Sequence, residues 1–103
     1  MRDLTILLIT KNRYFFLKRW LDFANQNKFK SNILIADGSS EIEYKKSNLN
    51  IENYLNLKVQ FIKYTEDKSY SDMYNKVVSS LIQIKTKYTV WADDDDFFFE
   101  KGL

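Results

Sequence analysis

Short apolar segments alternate with amphipathic ones along this chain, and the alternation predicts its elements. Leu4-Thr-Ile-Leu-Leu-Ile-Thr10 is nearly continuous in apolar residues, the pattern of a central parallel strand covered on both faces. Phe16, Leu17, Trp20, Leu21 and Ala24 then recur at helical spacing up to about Gln26, giving one apolar helix face. Asn12 is the expected N-cap of that helix, and its aromatic residues are read as core. Asn32-Ile-Leu-Ile-Ala-Asp37 is a second short strand, closing on Asp37-Gly38-Ser39-Ser40. Gly38 permits a tight turn there, and Ser39 or Ser40 can cap the next segment. Residues 41–57 are polar and rich in Asn and Lys; a weak helical pattern and a loop are expected. Leu57-Lys-Val-Gln-Phe-Ile-Lys-Tyr64 alternates apolar and polar residues, as a strand exposed on one side or at an edge does.

Tyr74, Val77, Val78, Leu81 and Ile82 or Ile84 return to helical spacing, so a helix is expected over 70–84. The β-branched and aromatic run 88–92 predicts a fourth, buried strand. It stops abruptly at four consecutive carboxylates, Asp93 to Asp96, followed by Phe97-Phe98-Phe99. The order βαβαβαβ implies an α/β fold, a Rossmann-like three-layer α/β/α arrangement with a mainly parallel sheet and right-handed crossovers. With strand order 3-2-1-4, Thr10, Asp37 and the Asp93 cluster would line one crevice at the carboxyl edge of the sheet. The winding reverses there, which is where such sheets bind ligands.

Composition narrows the chemistry. The 103 residues make one small domain, 45% hydrophobic and 17% aromatic, enough to supply a core. The net charge of +2 and the scattered lysines do not indicate a nucleic-acid partner. There is no cysteine and no histidine, which removes disulfides, thiolate metal sites, zinc triads and Ser-His or Cys-His relays. Carboxylates, amides, hydroxyls, Lys and Arg remain. The first apolar run is too short to span a membrane and lacks a signal-peptide cleavage pattern, so a cytoplasmic protein is expected. Peripheral association at the cytoplasmic membrane face is compatible with this.

Crowded aspartates repel one another unless solvated or offset by a cation, and all-oxygen clusters favour Mg²⁺ or Mn²⁺. The alternative for these four is the first turn of a helix beginning near Phe97, where Asp is favoured. Capping asks for one Asp, not four. Lys11 and Arg13, at the end of the first strand, are expected in solvated-surface roles.

Four landmarks fall in order: Ile9-Thr10-Lys11-Asn12-Arg13, Ala36-Asp37-Gly38-Ser39, Ser71-Asp-Met-Tyr-Asn-Lys76 and Asp93-Asp94-Asp95-Asp96. On them the chain resembles the N-terminal, nucleotide-binding half of family-two glycosyltransferases of the GT-A fold. The resemblance covers nearly the whole chain and implies a truncated GT-A domain over residues 1–103, with the acceptor-binding half absent. It implies a nucleotide-diphosphate sugar donor, UDP-sugar favoured, and a saccharide or other acceptor for the full-length protein. It implies that Thr10, Asn12, Asp37, Asn75 and Asp94 contact the nucleotide, with Asp37 accepting from the base. Ala36 departs from the family pattern, where an acidic residue stands. The D-x-D pair Asp93 and Asp95 would hold Mn²⁺ or Mg²⁺, and the catalytic base is expected beyond Leu103. A bare sheet edge and uncovered Phe97-Phe98-Phe99 would let the truncated form self-associate. Rival readings are a sugar-nucleotidyltransferase, disfavoured by the absence of glycine at Thr10-Lys11-Asn12, and a non-catalytic α/β module. A phosphoacceptor receiver domain is further off, since no strand-end lysine comes later in the chain.

Overall fold

In the computed structural model, which describes residues 3–102, the four expected strands form one all-parallel sheet in the order β3-β2-β1-β4. Strand β1 is Leu4–Thr10, β2 Asn32–Asp37, β3 Lys58–Lys63 and β4 Tyr88–Asp93. Helices α1 (Tyr14–Gln26), α2 (Glu41–Ser47) and α3 (Tyr70–Gln83) connect them, with single 3-10 turns at Ile51–Tyr54 and Glu100–Gly102. The fold is α/β and Rossmann-like, as the alternation of elements predicts. In register, Thr10 of β1 stands beside Asp37 of β2, and Ile9 beside Asp93 of β4. The chain therefore brings its strand-end polar residues to one edge.

The two faces of the sheet are unequally filled. On one, Ile6, Leu8, Ile33 and Ile35 pack with Leu17, Trp20, Leu21 and Ala24 of α1 and with Phe29. On the other, Leu7, Leu34 and Ala36 form a thin layer with Ile9, Ile62, Tyr64 and Ile84 packed against it. The sequence expects Phe16 in the α1 core face; Tyr14 is buried in its place, because its hydroxyl finds a buried acceptor in Asp37.

The α3 face differs more. Val77 is buried as expected, but Tyr74 and Leu81, also expected inside, are exposed, while Lys76 and Ser80 are buried. The helix is rotated from its apolar stripe because Lys76 is drawn inward by the Asp67 carboxylate and the Thr10 carbonyl. Strand β4 is also less covered than its composition suggests: it lies at the sheet edge, with Tyr88 59% and Trp91 55% exposed. Among the described residues β4 pairs with β1 alone, and α3 packs over β2 rather than over it.

The residues after β4 form no helix beginning at Phe97. They fold back over α1: Phe98 meets Trp20 and Phe29, and Phe97 lies 5.2 Å from Phe23, edge to face. Glu100 accepts from the backbone N–H groups of Lys30 and Ser31. The aspartates therefore cap nothing; Phe98 is half-buried against the α1 core, while Phe97 and Phe99 touch Phe23 yet remain 42% and 62% exposed, as expected of an uncovered apolar run. Among the described residues no helix is long and apolar enough to cross a membrane.

Trp20 joins both parts of this arrangement. It is 1% exposed, and its indole Nε1–H donates to the Asp96 carbonyl at 2.9 Å. Trp20→Ala should lower unfolding stability by about 3–5 kcal/mol, the usual cost of emptying a large core site, read from urea denaturation midpoints at unchanged slope.

Candidate functional site

The carboxyl edge of β1 and β4 opens into a cleft of about 750 Å³. Thr10, Lys11 and Arg13 line it from the β1 side, Asp93 to Asp95 from β4, and Asp67 to Tyr70, Met73 and Lys76 from the start of α3. Ser69 is the N-cap of α3, its hydroxyl accepting from the Asp72 N–H at 3.2 Å. That places the positive end of a 14-residue helix at the cleft, a setting that favours anions.

The acidic run is a tight turn rather than a cap. The Asp96 N–H donates to the Asp93 carbonyl at 3.0 Å, and the Asp93 N–H to the Asp96 carboxylate at 2.9 Å. The turn separates the four side chains. Asp94, 3% exposed, points back to the sheet, where Thr10 Oγ1 donates to it at 2.9 Å and Arg13 Nε at 2.8 Å. Asp93, Asp95 and Asp96 stay exposed, each offering a carboxylate oxygen within 4.8 Å of the others. Asp96 thus joins the pair that the sequence singles out.

Arg13 is not simply solvated surface. Besides Asp94 it reaches Asp95 at 3.6 Å, and its guanidinium lies 4.1 Å from the centroid of the Phe16 ring. Arg13, not Asn12, occupies the N-cap position of α1, without a side-chain cap. Asn12 adopts a left-handed backbone with φ 53°, a conformation that asparagine tolerates better than most residues. From there its N–H donates to Ser39 Oγ at 2.7 Å, and its side-chain oxygen accepts from the Ser40 N–H at 2.9 Å. Asn12 ties the loop after β1 to the loop after β2; it does not line the cleft. Ser40, as expected, caps α2 by accepting from the Glu43 N–H.

Asp37 is fully buried, and both its oxygens are taken. Tyr14 donates to one, while the Ser39 N–H, at 3.0 Å, and the Ser39 hydroxyl donate to the other. The structure brings Thr10, Asp93, Asp94 and Asp95 together around the cleft and sets Asp37 apart, behind the loop. Asn75 is exposed on α3 and does not line the cleft.

Its neighbour Lys76 is the residue that the sequence does not announce. Buried to 2% exposure, it pairs with the carboxylate of Asp67, itself 6% exposed, and donates to the Thr10 carbonyl at 3.2 Å. Lys11 donates to the Asp67 backbone carbonyl. The Asp67 carboxylate lies against the Cα of Gly38, where any side chain would collide with it. Gly38 has no positive φ, so this close approach, not turn conformation, is what demands glycine. One sign of Lys76 was present in the sequence: on α3 it stands three residues after Met73 and one before Val77, on the inner face.

Breaking a buried pair strands a charge and typically costs 3–5 kcal/mol. Lys76→Met should therefore destabilise the fold by about that much, and Asp67→Asn added to it should recover part of the loss in denaturant titrations. Tyr14 gives a pH signature: burial, then its bond to Asp37, push its phenol well above the ordinary value of 10.0. The folded state thus holds the proton more tightly than the unfolded one. The resulting stability is complete below about pH 10 and declines as pH rises further. Tyr14→Phe should flatten that decline relative to wild type in melts between about pH 9 and 11.

No protein-family model matches the chain, and no curated protein matches it.

Proposed function

We propose that these residues form the donor side of a metal-dependent glycosyltransferase, binding a nucleotide-diphosphate sugar, UDP-sugar favoured, for transfer to a saccharide or other acceptor. The supporting observation is the junction of β1 and β4. Thr10, Arg13 and Asp94 form one hydrogen-bonded unit at the reversal of strand order, with the exposed acidic turn on one side and the N-terminus of α3 on the other. Reversal points of parallel sheets are where nucleotides bind. The resemblance of the four sequence landmarks to family-two enzymes points the same way.

Each part then has a task. Asp93, Asp95 and Asp96 present hard oxygen donors of the kind that suit Mn²⁺ or Mg²⁺. Such a cation, when bound, offsets the negative charge that collects on the departing nucleoside diphosphate. Lys11, Lys68 and the α3 N-terminus line the opposite side, where phosphate oxygens would be attracted. Thr10 and Asp94 hold one another at the nucleotide's edge. Arg13 restrains Asp94 and Asp95. Asp37 serves in this reading by fixing Tyr14 and Ser39, since its oxygens are already engaged. No histidine is required, in keeping with its absence from the chain. The protein would work in the cytoplasm, with peripheral attachment to the inner membrane face as the alternative.

The test is a thermal-shift and NMR titration with UDP, GDP and CDP, each with and without Mn²⁺. UDP with Mn²⁺ should raise the melting temperature, by the equivalent of about 2.7 kcal/mol at ligand one hundred times Kd. Asp95→Asn should lose the Mn²⁺ dependence at unchanged basal stability. Indifference of the wild type to all three nucleotides in the presence of metal would sink this reading.

A further inference from the structure

The sheet face beneath α3 changes character along the strands. Alternate residues share a face, and paired strands set them in rows. At the carboxyl edge the row is Ile9, Ala36 and Ile62. The next is Leu7, Leu34 and Gln60, and the last, at the amino edge, is Thr5, Asn32 and Lys58. The opposite face stays apolar over the same length, through Leu8, Ile35 and Phe61 to Ile6, Ile33 and Val59. Parallel sheets covered on both faces are ordinarily apolar on both. The exchange of apolar for polar side chains on one face alone marks a place with another task.

The polar end is also hollow. A cavity of about 490 Å³ lies there between the sheet and the end of α3, at the opposite edge of the sheet from the acidic cleft. This volume falls in the range of small-ligand sites, ~300–1,000 Å³. Leu34 and Ile84 give it an apolar wall, and its polar lining is Thr5, Asn32, Lys58, Gln60, Gln83 and Lys85. Among the described residues no carboxylate lines it. The Thr5 hydroxyl is engaged with that of Thr86 at 2.6 Å. Among the described residues the other five polar side chains have no hydrogen-bond or ion-pair partner. At the carboxyl edge, by contrast, Lys11, Lys63 and Lys76 all donate within the protein.

We propose that this cavity binds a phosphorylated monosaccharide. The two ammonium groups, on Lys58 and Lys85, attract the phosphate. A bare anion is the poorer fit, because the last turn of α3 brings its final carbonyl oxygens to the same rim. That end of a helix repels anions, while its carbonyls accept from hydroxyls. The amides of Asn32, Gln60 and Gln83 both donate and accept, as sugar hydroxyls do. Leu34 and Ile84 meet the carbon frame of the ring. The assignment stands on the sheet rows and the cavity and does not depend on the nucleotide reading.

The test is an NMR titration of the isotope-labelled chain, in metal-free buffer, with glucose-6-phosphate, ribose-5-phosphate, glucose and inorganic phosphate. At least one sugar phosphate should move the side-chain amide signals of Asn32, Gln60 and Gln83 saturably, with the backbone signals of Ser69 and Asp95 at the cleft unmoved. Glucose and inorganic phosphate should each bind about tenfold more weakly or less. Lys58→Gln combined with Lys85→Gln should raise the Kd about tenfold at unchanged melting temperature, since neither lysine has a partner to lose. Lys45→Gln combined with Lys46→Gln, on the exposed surface of α2, should leave binding as it is. Silence of the three amides towards both sugar phosphates overturns the proposal. Inorganic phosphate binding as tightly as the sugar phosphates, or full binding by the Lys58 and Lys85 double variant, overturns it too.

Discussion

A lysine and an aspartate, both withdrawn from water, meet where β1, the loop after β2 and the start of α3 converge. Removing two charges from solvent costs several kcal/mol for each, recovered only when geometry and extra hydrogen bonds are good. Lys76 has Asp67 and the Thr10 carbonyl; the second Asp67 carboxylate oxygen has no partner among the described residues, and the Asp67 backbone is held separately by Lys11 and by its N–H donated to the Gly38 carbonyl. The pair thus joins the ends of three elements that share little apolar contact at this point. It sets the rotation of α3 and keeps Gly38 bare, and it spaces the cleft's basic side from its acidic one. The apolar layer under α3 is thin, so this polar junction does more to seat that helix than its hydrophobic stripe does.

The acidic residues at this edge divide into two groups. Asp37, Asp67 and Asp94 are buried, each with donors supplied by the protein itself: Tyr14 and Ser39, Lys76, and Thr10 with Arg13. Asp93, Asp95 and Asp96 are exposed and have little beyond a distant guanidinium and one backbone N–H. The first group builds the frame; the second stays open to solvent. Four aspartates identical in sequence are sorted in this way by a turn of two hydrogen bonds, which sends Asp94 inward and its neighbours out.

Strand and helix periodicity makes the elements, their order and the parallel sheet legible, because burial on a pleated or helical surface leaves a regular trace. The convergence of Thr10 with the acidic run is legible for the same reason, since it arises from strand ends. Pairing across distance is not. Nothing local in Asp67 or Lys76 announces a partner nine residues away, and Arg13 resembles surface because its acceptor lies far along the chain. The inner face of α3 departs from its periodicity where a lysine takes a position that an apolar stripe would claim. Asn12 and Gly38 are recognisable as turn residues, but their reasons, a bridge to the next loop and a close approach to a carboxylate, exist only in three dimensions. The composition of β4 suggests burial, yet aromatic and β-branched residues favour strands at an edge as much as in a core.

The bond from the Trp20 indole to the Asp96 carbonyl has an optical consequence. The chain holds two tryptophans: one buried and fastened to the acidic turn, the other, Trp91, exposed two residues before it. Any charge or movement arriving at that turn alters the field on a dry indole and the solvent around a wet one. A dry indole emits at shorter wavelength than a wet one and is less open to quenchers, so the protein carries two distinguishable fluorophores beside its acidic turn.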